Sequence, residues 1–365
     1  FRSHETYINL KEVLFLINVG IAGCGSIARF RHAPEYLANP ESKIAGFYDP
    51  ISERSEALSR EFGGCVYASY DDMLKDPNIS AISVCSANTF HAQMTIQALQ
   101  AGKHVLCEKP LATSSKDAEK MVEAAKSSGC YLMVGQNQRF HPAHKKAKEI
   151  LKVGELGKVL SFRTGFAHAG PETWSADKSN KTWFFDKSKA FIGAMGDLGV
   201  HKLDLVQWLI GEPITEVMAL VTTIDKRDSS GDLISVDDNA RCILKMPSGI
   251  IGTLSVSWTC YGEEENGTTI YCEKGVMKIF EDPDYSITVT SRNGDKTFYQ
   301  LGKIQTNESQ SNSGVIDAFI ESIIKQRPPE ISGEEGLKTL RVIEACLYSS
   351  QRSEERRVGK ECRSR

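Results

Sequence analysis

The chain has 365 residues, of which 41% are hydrophobic and 25% are charged, and its formal net charge is −3 at pH 7. This composition is typical of a globular protein with room for two domains. The weak negative charge gives no sign of a nucleic-acid surface, and no apolar run reaches the roughly 18 residues of a membrane helix, so we expect neither partner.

The sequence contains ten cysteines, and none of them forms a C-x-x-C pair. Zinc sites and thioredoxin-like motifs therefore lack their usual spacing, and we predict no metal. Cys85, Cys107 and Cys242 lie within apolar strand patterns. We expect buried free thiols and a cytoplasmic location.

Both ends of the chain differ from the rest. The last residues, 352–365, lack helical or strand periodicity, and their back-translation resembles a common sequencing adapter. The codons of residues 11–13 would resemble a ribosome-binding site ahead of a start at Leu16. We interpret 1–15 as a leader and 352–365 as a tail that are not native, and a genuine N-terminal extension is the alternative.

Between residues 16 and 139, short apolar runs alternate with helical patterns. This alternation predicts an α/β domain with a parallel sheet and helices on both faces. The predicted strands are Val19–Ala22, Ile44–Tyr48, Ala81–Cys85, His104–Cys107 and Tyr131–Val134. The predicted helices are Ile27–Leu37, Ser52–Phe62, His91–Ala101 and Ser115–Ser128.

The first predicted strand ends in a cluster of small residues, Gly23-x-Gly25-x-x-Ala28. The first glycine permits a sharp turn, the second lets the backbone approach a pyrophosphate, and the third small residue lets the helix pack closely on the strand. Ser26 and Ile27 would begin a helix whose N–H groups face the phosphates. A glycine turn that binds nothing is the alternative.

An acidic residue ends the second predicted strand, since Asp49 follows Ala28 by 21 positions. A carboxylate about 20 residues beyond the glycine motif accepts the ribose hydroxyls of NAD and repels the 2′-phosphate of NADP. We therefore predict NAD rather than NADP, although Asp49-Pro50 is also a good turn.

Polar residues follow the third and fourth predicted strands. Ser86, Asn88 and His91 come after the third, and Glu108-Lys109 comes after the fourth. Ligands of open α/β sheets bind at this carboxyl edge, so these side chains are candidates for the nicotinamide pocket. Helix-capping roles explain Asn88 and His91 equally well, and on local pattern alone Lys109 fits a surface turn better.

The pattern changes in a second domain, predicted over 140–351. Strand-like segments, many with period-2 alternation, predict an open, mostly antiparallel sheet of α+β type. The predicted helices are Asp197 to Ile210, Gly314–Gln326 and Glu334–Ser350, and we expect the last one to pack back on the first domain.

Two residues of the 197–210 helix are candidates for proton transfer. Asp197 and His201 are four positions apart and share a helix face. A histidine beside a carboxylate is a plausible acid–base pair. An N-capping Asp197 and a surface His201 form the alternative.

Three further residues could face a substrate. Arg139 precedes the second domain, where pairing with a carboxylate is its other explanation. Trp174 and Trp183 lie in a predicted loop over the cleft. Aromatic faces suit the C–H surfaces of sugars, and core packing is the alternative.

The glycine motif, the Glu-Lys-Pro at 108–110 and the Asp-x-x-x-His at 197–201 together resemble the Gfo/Idh/MocA family of oxidoreductases. The resemblance covers nearly all of residues 17–350. It implies a Rossmann domain, an open-sheet domain that forms homodimers or homotetramers, and hydride transfer between a nicotinamide and a secondary alcohol. One departure is Ser86-Ala87-Asn88, where the family often has Thr-Pro.

The resemblance also implies roles for individual residues. Lys109 is expected to be the catalytic lysine, Asp197 a carboxylate that positions the substrate, and His201 the acid/base. The expected cofactor-binding residues are Gly23, Gly25, Ser26, Ile27, Asp49, Ser86, Asn88, His91, Glu108 and Lys109. The expected substrate-binding residues are Lys109, Arg139, Trp174, Trp183, Asp197 and His201.

These observations predict an NAD-dependent oxidoreductase acting on a sugar, sugar derivative or inositol. A glycosidase of the same fold, with transient use of NAD, is one alternative, and a non-catalytic nucleotide or sugar sensor is the other. The sequence does not identify the substrate.

Overall fold

The structure is a computed structural model that describes residues 16–176, 178–304, 312–352 and 356–357. The predicted leader and most of the predicted tail lie outside the described residues. Within the described part, no helix is both long and apolar enough to cross a membrane. The same residues contain no group of three or more His, Cys, Asp or Glu side chains placed to hold a metal ion.

Six strands of the described part of the chain form the first sheet: β1 (Ile17–Ala22), β2 (Ser42–Tyr48), β3 (Cys65–Val66), β4 (Ala81–Val84), β5 (His104–Cys107) and β6 (Leu132–Val134). Their order is β3-β2-β1-β4-β5-β6, and every neighbouring pair is parallel. From β1 the strand order runs toward one edge of the sheet through β2 and β3, and from β4 it runs toward the other edge. Such a switch point, here between β1 and β4, opens a crevice at the carboxyl ends of the strands. This confirms the predicted parallel sheet.

Helices cover both faces of this sheet. They are α1 (Ala33–Ala38), α2 (Ser52–Phe62), α3 (Tyr70–Lys75), α4 (His91–Gln100) and α5 (Ser115–Ser128). A π-helical turn, Ala28–His32, precedes α1. The two residues of β3 and the six residues of α3 were not predicted, because elements so short show no clear hydrophobic period.

In the described residues the second sheet has nine strands: β7 (Val159–Ala167), β8 (Glu216–Thr222), β9 (Asn239–Lys245), β10 (Ile251–Ser257), β11 (Thr268–Cys272), β12 (Gly275–Ile279), β13 (Ile287–Ser291), β14 (Lys296–Tyr299) and β15 (Arg356–Arg357). Their order is β14-β13-β12-β11-β7-β10-β9-β8-β15. Only the β7–β10 pair is parallel among these described strands. The prediction of a mostly antiparallel sheet is therefore confirmed.

The helices of the second half are α6 (Pro142–Val153), α7 (Val200–Ile210), α8 (Val315–Ile324) and α9 (Gly333–Arg352). Residues of α6, α7 and α9 form one hydrophobic core with the inner face of the second sheet. The outer face exposes large apolar side chains, including Leu160, Met218, Leu220, Ile243 and Ile251.

The two closing helices also complete the first domain. Val315 and Phe319 of α8 join the core that contains Val19 and Ile21 of β1. On the opposite face of the first sheet, Leu337 and Leu340 of α9 pack with Val105 and Val134. Other residues of α9, such as Val342 and Ile343, belong to the core of the second sheet, so the last helix packs between the two sheets.

The final described residues continue past the predicted end of the second domain. Helix α9 ends at Arg352, and Arg356 and Arg357 pair with Val217 and Glu216 at the edge of the second sheet. The sequence of this stretch carries no strand period, because a two-residue edge pairing is too short to show one.

Candidate active site

A cleft of about 1370 Å³, counting its open mouth, runs between the carboxyl ends of β1, β4 and β5 and the second domain. Its lining includes predicted cofactor and substrate residues from both halves of the chain: Gly25, Ser26, Ile27, Ser86, Asn88, His91, Glu108, Lys109, Trp174, Trp183, Asp197 and His201. The fold therefore brings together motifs that lie almost 180 residues apart in the sequence.

The glycine loop after β1 needs its two glycines for different reasons. Gly23 has φ of +93°, and a Cβ at this position would lie 2.5 Å from the carbonyl carbon of Cys85. At Gly25, a Cβ would meet no protein atom within 4 Å. Packing within the protein thus requires Gly23 but not Gly25. The open space at Gly25 fits close approach of a pyrophosphate to the backbone, in front of the helix that begins at Ser26.

Asp49 stands at the end of β2 and holds the same loop. One carboxylate oxygen accepts a hydrogen bond from the Cys24 N–H at 2.7 Å, and the other accepts one from the Ile51 N–H at 2.9 Å. A carboxylate has about four lone-pair sites, so both oxygens retain capacity for ribose hydroxyls. The side chain serves the turn and remains placed for a nucleotide.

Glu108 is the centre of a buried ion cluster at the end of β5. Arg31 donates to its carboxylate, His32 Nε2 lies 2.8 Å from the same oxygen, and the Lys109 N–H donates at 3.2 Å. Burial acts to raise the pKa of Glu108, but Arg31 and His32 outweigh it and hold the pKa well below the usual range. The ionised side chain ties the first helix to the loop that carries Lys109.

Lys109 reaches across the cleft to the second domain. Its Nζ donates to Asp197 Oδ1 at 2.7 Å and to the Asp197 carbonyl at 3.2 Å. The Trp258 indole N–H donates to the other carboxylate oxygen at 3.2 Å. Burial acts to raise the pKa of Asp197, but Lys109 and then His168 oppose it, and the net shift is downward. The Asp197 carboxylate is therefore ionised and held in one geometry.

The structure excludes the helix-capping alternative for Asp197. The carboxylate of Asp237 accepts from the backbone N–H groups of Gly193 and Met195, at 2.8 and 2.7 Å, at the start of the helical segment. Asp197 instead lies inside a π-helical turn, Met195–Gly199, ahead of α7. The capping function belongs to Asp237, and Asp197 is left facing Lys109.

His201 lines the cleft on the helix that follows Asp197. It is 8% exposed, and its Nδ1 is buried without a hydrogen-bond partner among the described residues. Because Nδ1 is buried, Nε2 is the ring nitrogen that can face a substrate. Burial, together with the Lys109 ammonium, holds the pKa of His201 well below the usual histidine range. The imidazole is neutral at pH 7 and able to accept a proton.

His91 differs from His201 although it lines the same cleft. Its Nδ1 lies 2.8 Å from the Pro110 carbonyl and its Nε2 lies 3.0 Å from the Ser86 carbonyl. Burial lowers the pKa of His91, even though the two carbonyls favour its protonated form. The ring joins the loops after β4 and β5, so it positions the pocket and has no nitrogen left for a ligand.

Asn88 has a similar structural task. Its side-chain amide donates to the Ala190 carbonyl at 3.0 Å, which attaches the loop of the second domain to the end of β4. Ser86 lies at the cleft surface beside it. The departure from Thr-Pro at 86–88 therefore leaves the carboxyl edge of β4 intact.

The prediction that Arg139 binds the substrate must be corrected, because Arg139 is not among the residues that line the cleft. Its guanidinium binds Asp204 through two hydrogen bonds of 2.7 and 2.5 Å and Glu335 through one of 3.1 Å. The side chain is 3% exposed. The carboxylate-pairing alternative is correct, and Arg139 joins α7 to α9.

The two predicted tryptophans line the cleft as part of an aromatic cluster. The Trp183 and Phe184 rings stack with centroids 3.9 Å apart, and Trp174 meets Phe184 edge to face at 5.1 Å. His168, which we did not predict, contacts Trp174 and also lines the cleft.

Several other lining residues escaped prediction, namely Arg31, Gln138, Phe166, His168 and Asn266. Gln138 Nε2 donates to Asn266 Oδ1 at 3.3 Å, which places two amide groups side by side on the cleft wall. Neither residue belongs to a motif with a recognisable spacing, so only the three-dimensional arrangement reveals this wall.

Comparison with known proteins agrees with this geometry. A family model described as "Oxidoreductase family, NAD-binding Rossmann fold" matches residues 17–136, and one described as "GFO/IDH/MocA C-terminal domain" matches residues 144–278. The chain belongs to the Gfo/Idh/MocA family of oxidoreductases. Its first domain is an NAD-binding Rossmann domain, and the protein is an NAD-dependent oxidoreductase.

Two curated relatives illustrate the range of similarity. The chain is 30% identical to a levoglucosan dehydrogenase of Pseudarthrobacter phenanthrenivorans over 274 residues, covering 67% of this chain and 68% of the relative. It is 26% identical to a myo-inositol 2-dehydrogenase of Thermotoga maritima over 331 residues, covering 89% of this chain and 93% of the relative.

A solved structure shows the same fold along almost the whole chain. A levoglucosan dehydrogenase in complex with NADH superposes with a TM-score of 0.82 at 23% identity, covering 94% of this chain and 100% of the other. The residues that fit the cofactor here are the glycine loop, with its open space at Gly25, and Asp49 at the end of β2.

Proposed function

We propose that the protein is a dehydrogenase that oxidises a secondary alcohol of a cyclic sugar, sugar derivative or inositol. One observation carries the proposal: the Lys109–Asp197 ion pair and the neutral His201 line the same cleft as the glycine loop. A cation that can stabilise an alkoxide and a base that can take its proton therefore stand beside the nucleotide region.

Each of the three side chains has a distinct task. His201 accepts the hydroxyl proton through Nε2, because its imidazole is neutral at pH 7. The Lys109 ammonium donates a hydrogen bond to the oxygen as its negative charge develops. Asp197 fixes that ammonium and is itself fixed by the Trp258 indole. When bound, NAD supplies the nicotinamide carbon that accepts the hydride.

The substrate class is supported by the wall opposite the nucleotide region. The rings of Trp174 and Trp183 offer apolar faces, and the amides of Gln138 and Asn266 offer groups that match hydroxyls. The names of the levoglucosan and myo-inositol dehydrogenases agree with a polyhydroxylated ring.

A reaction without net oxidation is the second candidate. The chain is 30% identical over 269 residues to an Escherichia coli protein named 2,7-anhydro-N-acetylneuraminate hydratase, covering 72% of this chain and 68% of that relative. If such a reaction used NAD only transiently, as in the glycosidic cleavage considered above, the hydride that NAD removes would return to the substrate, and no NADH would be released.

One experiment separates the two candidates. The purified protein is incubated with NAD and a panel of inositols, aldoses, anhydrosugars and nucleotide sugars, and NADH is followed at 340 nm. The proposed dehydrogenase produces NADH in proportion to the substrate consumed. Substrate conversion, measured by chromatography, without accumulated NADH would instead support the second candidate.

We also infer that the protein assembles through its second sheet. Leu160, Met218, Leu220, Ile243 and Ile251 project from the outer face, and exposed large apolar side chains gathered on one face of a sheet are typical of an interface. The expected occupant is a second copy of the chain. Light scattering should show a dimer or tetramer, and Leu220→Lys should shift it toward the monomer.

A cytoplasmic location remains our proposal as well. All nine cysteines that the structure describes are free thiols, which suits a reducing compartment. Fractionation of cells that express the protein would test it.

A further inference from the structure

Lys202 is a buried lysine beside the candidate base. It follows His201 on α7, its side chain is fully buried, and its Nζ lies 6.0 Å from the centre of the Phe166 ring. Phe166 lines the cleft and packs against His201, with ring centroids 6.1 Å apart. The mechanism proposed above gives Lys202 no task.

The Lys202 Nζ donates a hydrogen bond to the backbone carbonyl of Asn266 at 2.9 Å. Among the described residues, this carbonyl is its only hydrogen-bond acceptor. An ammonium has three donors, so two of them find no acceptor in the described part of the protein.

The backbone around Asn266 explains why it needs this donor. Glu265 exchanges two hydrogen bonds with Ala167 of β7, at 2.8 and 2.9 Å, and the Gly267 carbonyl accepts from the Gly165 N–H at 3.0 Å. In an antiparallel pairing, residues on either side of Asn266 face β7, so the Asn266 carbonyl points away from it. Lys202 supplies the partner on that other side.

The side chain of Asn266 then reaches the cleft. Its Oδ1 accepts from Gln138 Nε2, and both side chains line the substrate wall. The Gln138 carbonyl is held in turn by His144 Nδ1 at 2.7 Å. The positions of the two amides thus depend on buried groups behind the wall.

We propose that Lys202 is a positioning residue for the substrate, which holds the Asn266–Gln138 amide pair where it can bind ring hydroxyls. The inference rests on the proposed function, because it assumes that this cleft binds a polyhydroxylated ring. Lys202 acts through Asn266 and touches neither the substrate nor the cofactor.

This role is separable from stability. Burial lowers the pKa of Lys202 to about 7, and Glu264 and Glu281 offset only part of that effect. His144, packed nearby from α6, has its own pKa lowered by burial and by Lys202. A buried charge that lacks a close ionic partner does not stabilise a fold, and an apolar group of similar volume is often neutral or stabilising in its place.

The test compares Lys202→Met with Lys202→Gln. The two side chains have the same length, but only glutamine can donate to the Asn266 carbonyl. Hydrogen–deuterium exchange of the peptide around 263–268 is measured first, since it needs no substrate. We expect faster exchange in Lys202→Met, by about threefold or more, and near wild-type exchange in Lys202→Gln.

Kinetics with levoglucosan and myo-inositol as probes complete the test. Lys202→Met should raise KM about tenfold, which matches the loss of one hydrogen bond, with kcat and NAD affinity within about threefold of wild type. Its Tm should stay close to that of wild type, because removal of the buried ammonium offsets the cost of leaving the Asn266 carbonyl without its donor. Lys202→Gln should keep KM within about threefold.

Two outcomes would overturn the inference. One is a wild-type KM and wild-type exchange in Lys202→Met. The other is a lower Tm in Lys202→Met together with weaker NAD binding and a higher KM, which would give Lys202 a purely structural role. If the wild-type enzyme releases no NADH with either probe or with the wider panel, the proposed function fails, and the exchange comparison still decides whether Lys202 holds Asn266.

Discussion

The two sides of the cleft are built in different ways. The nucleotide side is made of short loops at the ends of adjacent parallel strands, where Gly23, Asp49 and Glu108 are held by bonds to neighbouring loops and the first helix. The substrate side collects Gln138, His168 and Asn266 from elements far apart in the sequence. Local hydrogen bonds and glycine geometry within the loops therefore determine the structure of the nucleotide side. The substrate side instead depends on how distant elements pack around the second sheet.

The two histidines of the cleft show the same contrast at the level of single side chains. Both ring nitrogens of His91 lie within hydrogen-bond distance of backbone carbonyls. In the described part of the chain, the buried Nδ1 of His201 has no partner, which leaves Nε2 for a substrate in the cleft. A histidine whose nitrogens are occupied positions its surroundings, and one with an available nitrogen can transfer a proton.

The largest expected effect comes from replacing the substrate-side histidine. His201→Ala should lower kcat by about 10² to 10⁴, the usual share of general acid–base catalysis, with NAD affinity nearly unchanged. In the wild type, the low pKa of His201 keeps the base available at neutral pH, so oxidation should not yet slow at about pH 6.5, where an ordinary histidine titrates, and should slow only at a lower pH. Steady-state kinetics over pH, with NAD binding by fluorescence, measure both effects.

His91→Ala is the matched control for that variant. This variant should lower Tm and weaken NAD binding, because it detaches the loops that contain Ser86 and Pro110. With NAD bound, the pH dependence of kcat should stay as in the wild type. Turnover near wild type in His201→Ala would contradict the role assigned to that residue.

The next largest effect concerns the residue that spans the two sides. Lys109→Ala should lower kcat by about 10² to 10³, because it removes the charge that stabilises the developing alkoxide. The NAD dissociation constant should change little, since the ammonium is directed at Asp197. Lys116→Ala, an exposed lysine on α5, serves as the control and should behave as wild type. If kcat changes only a few-fold in Lys109→Ala, Lys109 is a turn residue without a role in catalysis.

A smaller effect is expected from the nucleotide side. Asp49→Ser combined with Pro50→Arg should shift the ratio of kcat/KM for NAD and NADP by at least about tenfold toward NADP, because it replaces repulsion of a 2′-phosphate by attraction. Pro50→Arg alone controls for the added cation. Wild-type enzyme that prefers NADP would show that Asp49 only serves its turn.

The same contrast explains what the sequence could predict. The glycine motif, Asp49 and Lys109 are readable because each one follows a predicted strand, and parallel strands end at one edge. Nothing local distinguishes Arg139, which resembles a substrate ligand but pairs with Asp204 and Glu335. Arg31, His168 and Asn266 carry no motif, so their arrival at the cleft depends on long-range packing. The capping role of Asp237 is equally invisible, because it lies 42 residues beyond Met195.

The smallest expected effect is on stability and concerns the buried histidines. Burial lowers the pKa of His91, His144 and His201 in the folded protein. As the pH falls, each of these rings therefore protonates first in the unfolded chain and only at a lower pH in the folded protein. The unfolded state then binds more protons between about pH 6.5 and the lower folded values, and stability falls on acidification. Asp237, with its pKa raised by burial to about 6, and Asp204, whose pKa burial also raises, work in the opposite direction but are fewer than the histidines. Differential scanning fluorimetry should therefore show Tm falling by roughly 5 °C between pH 7 and 5.5.

A variant tests the contribution of one histidine. His144→Gln can keep the hydrogen bond to the Gln138 carbonyl but does not titrate, so it should reduce the change of Tm with pH. A Tm that stays constant or rises over that interval would mean that the three rings are protonated in the folded protein.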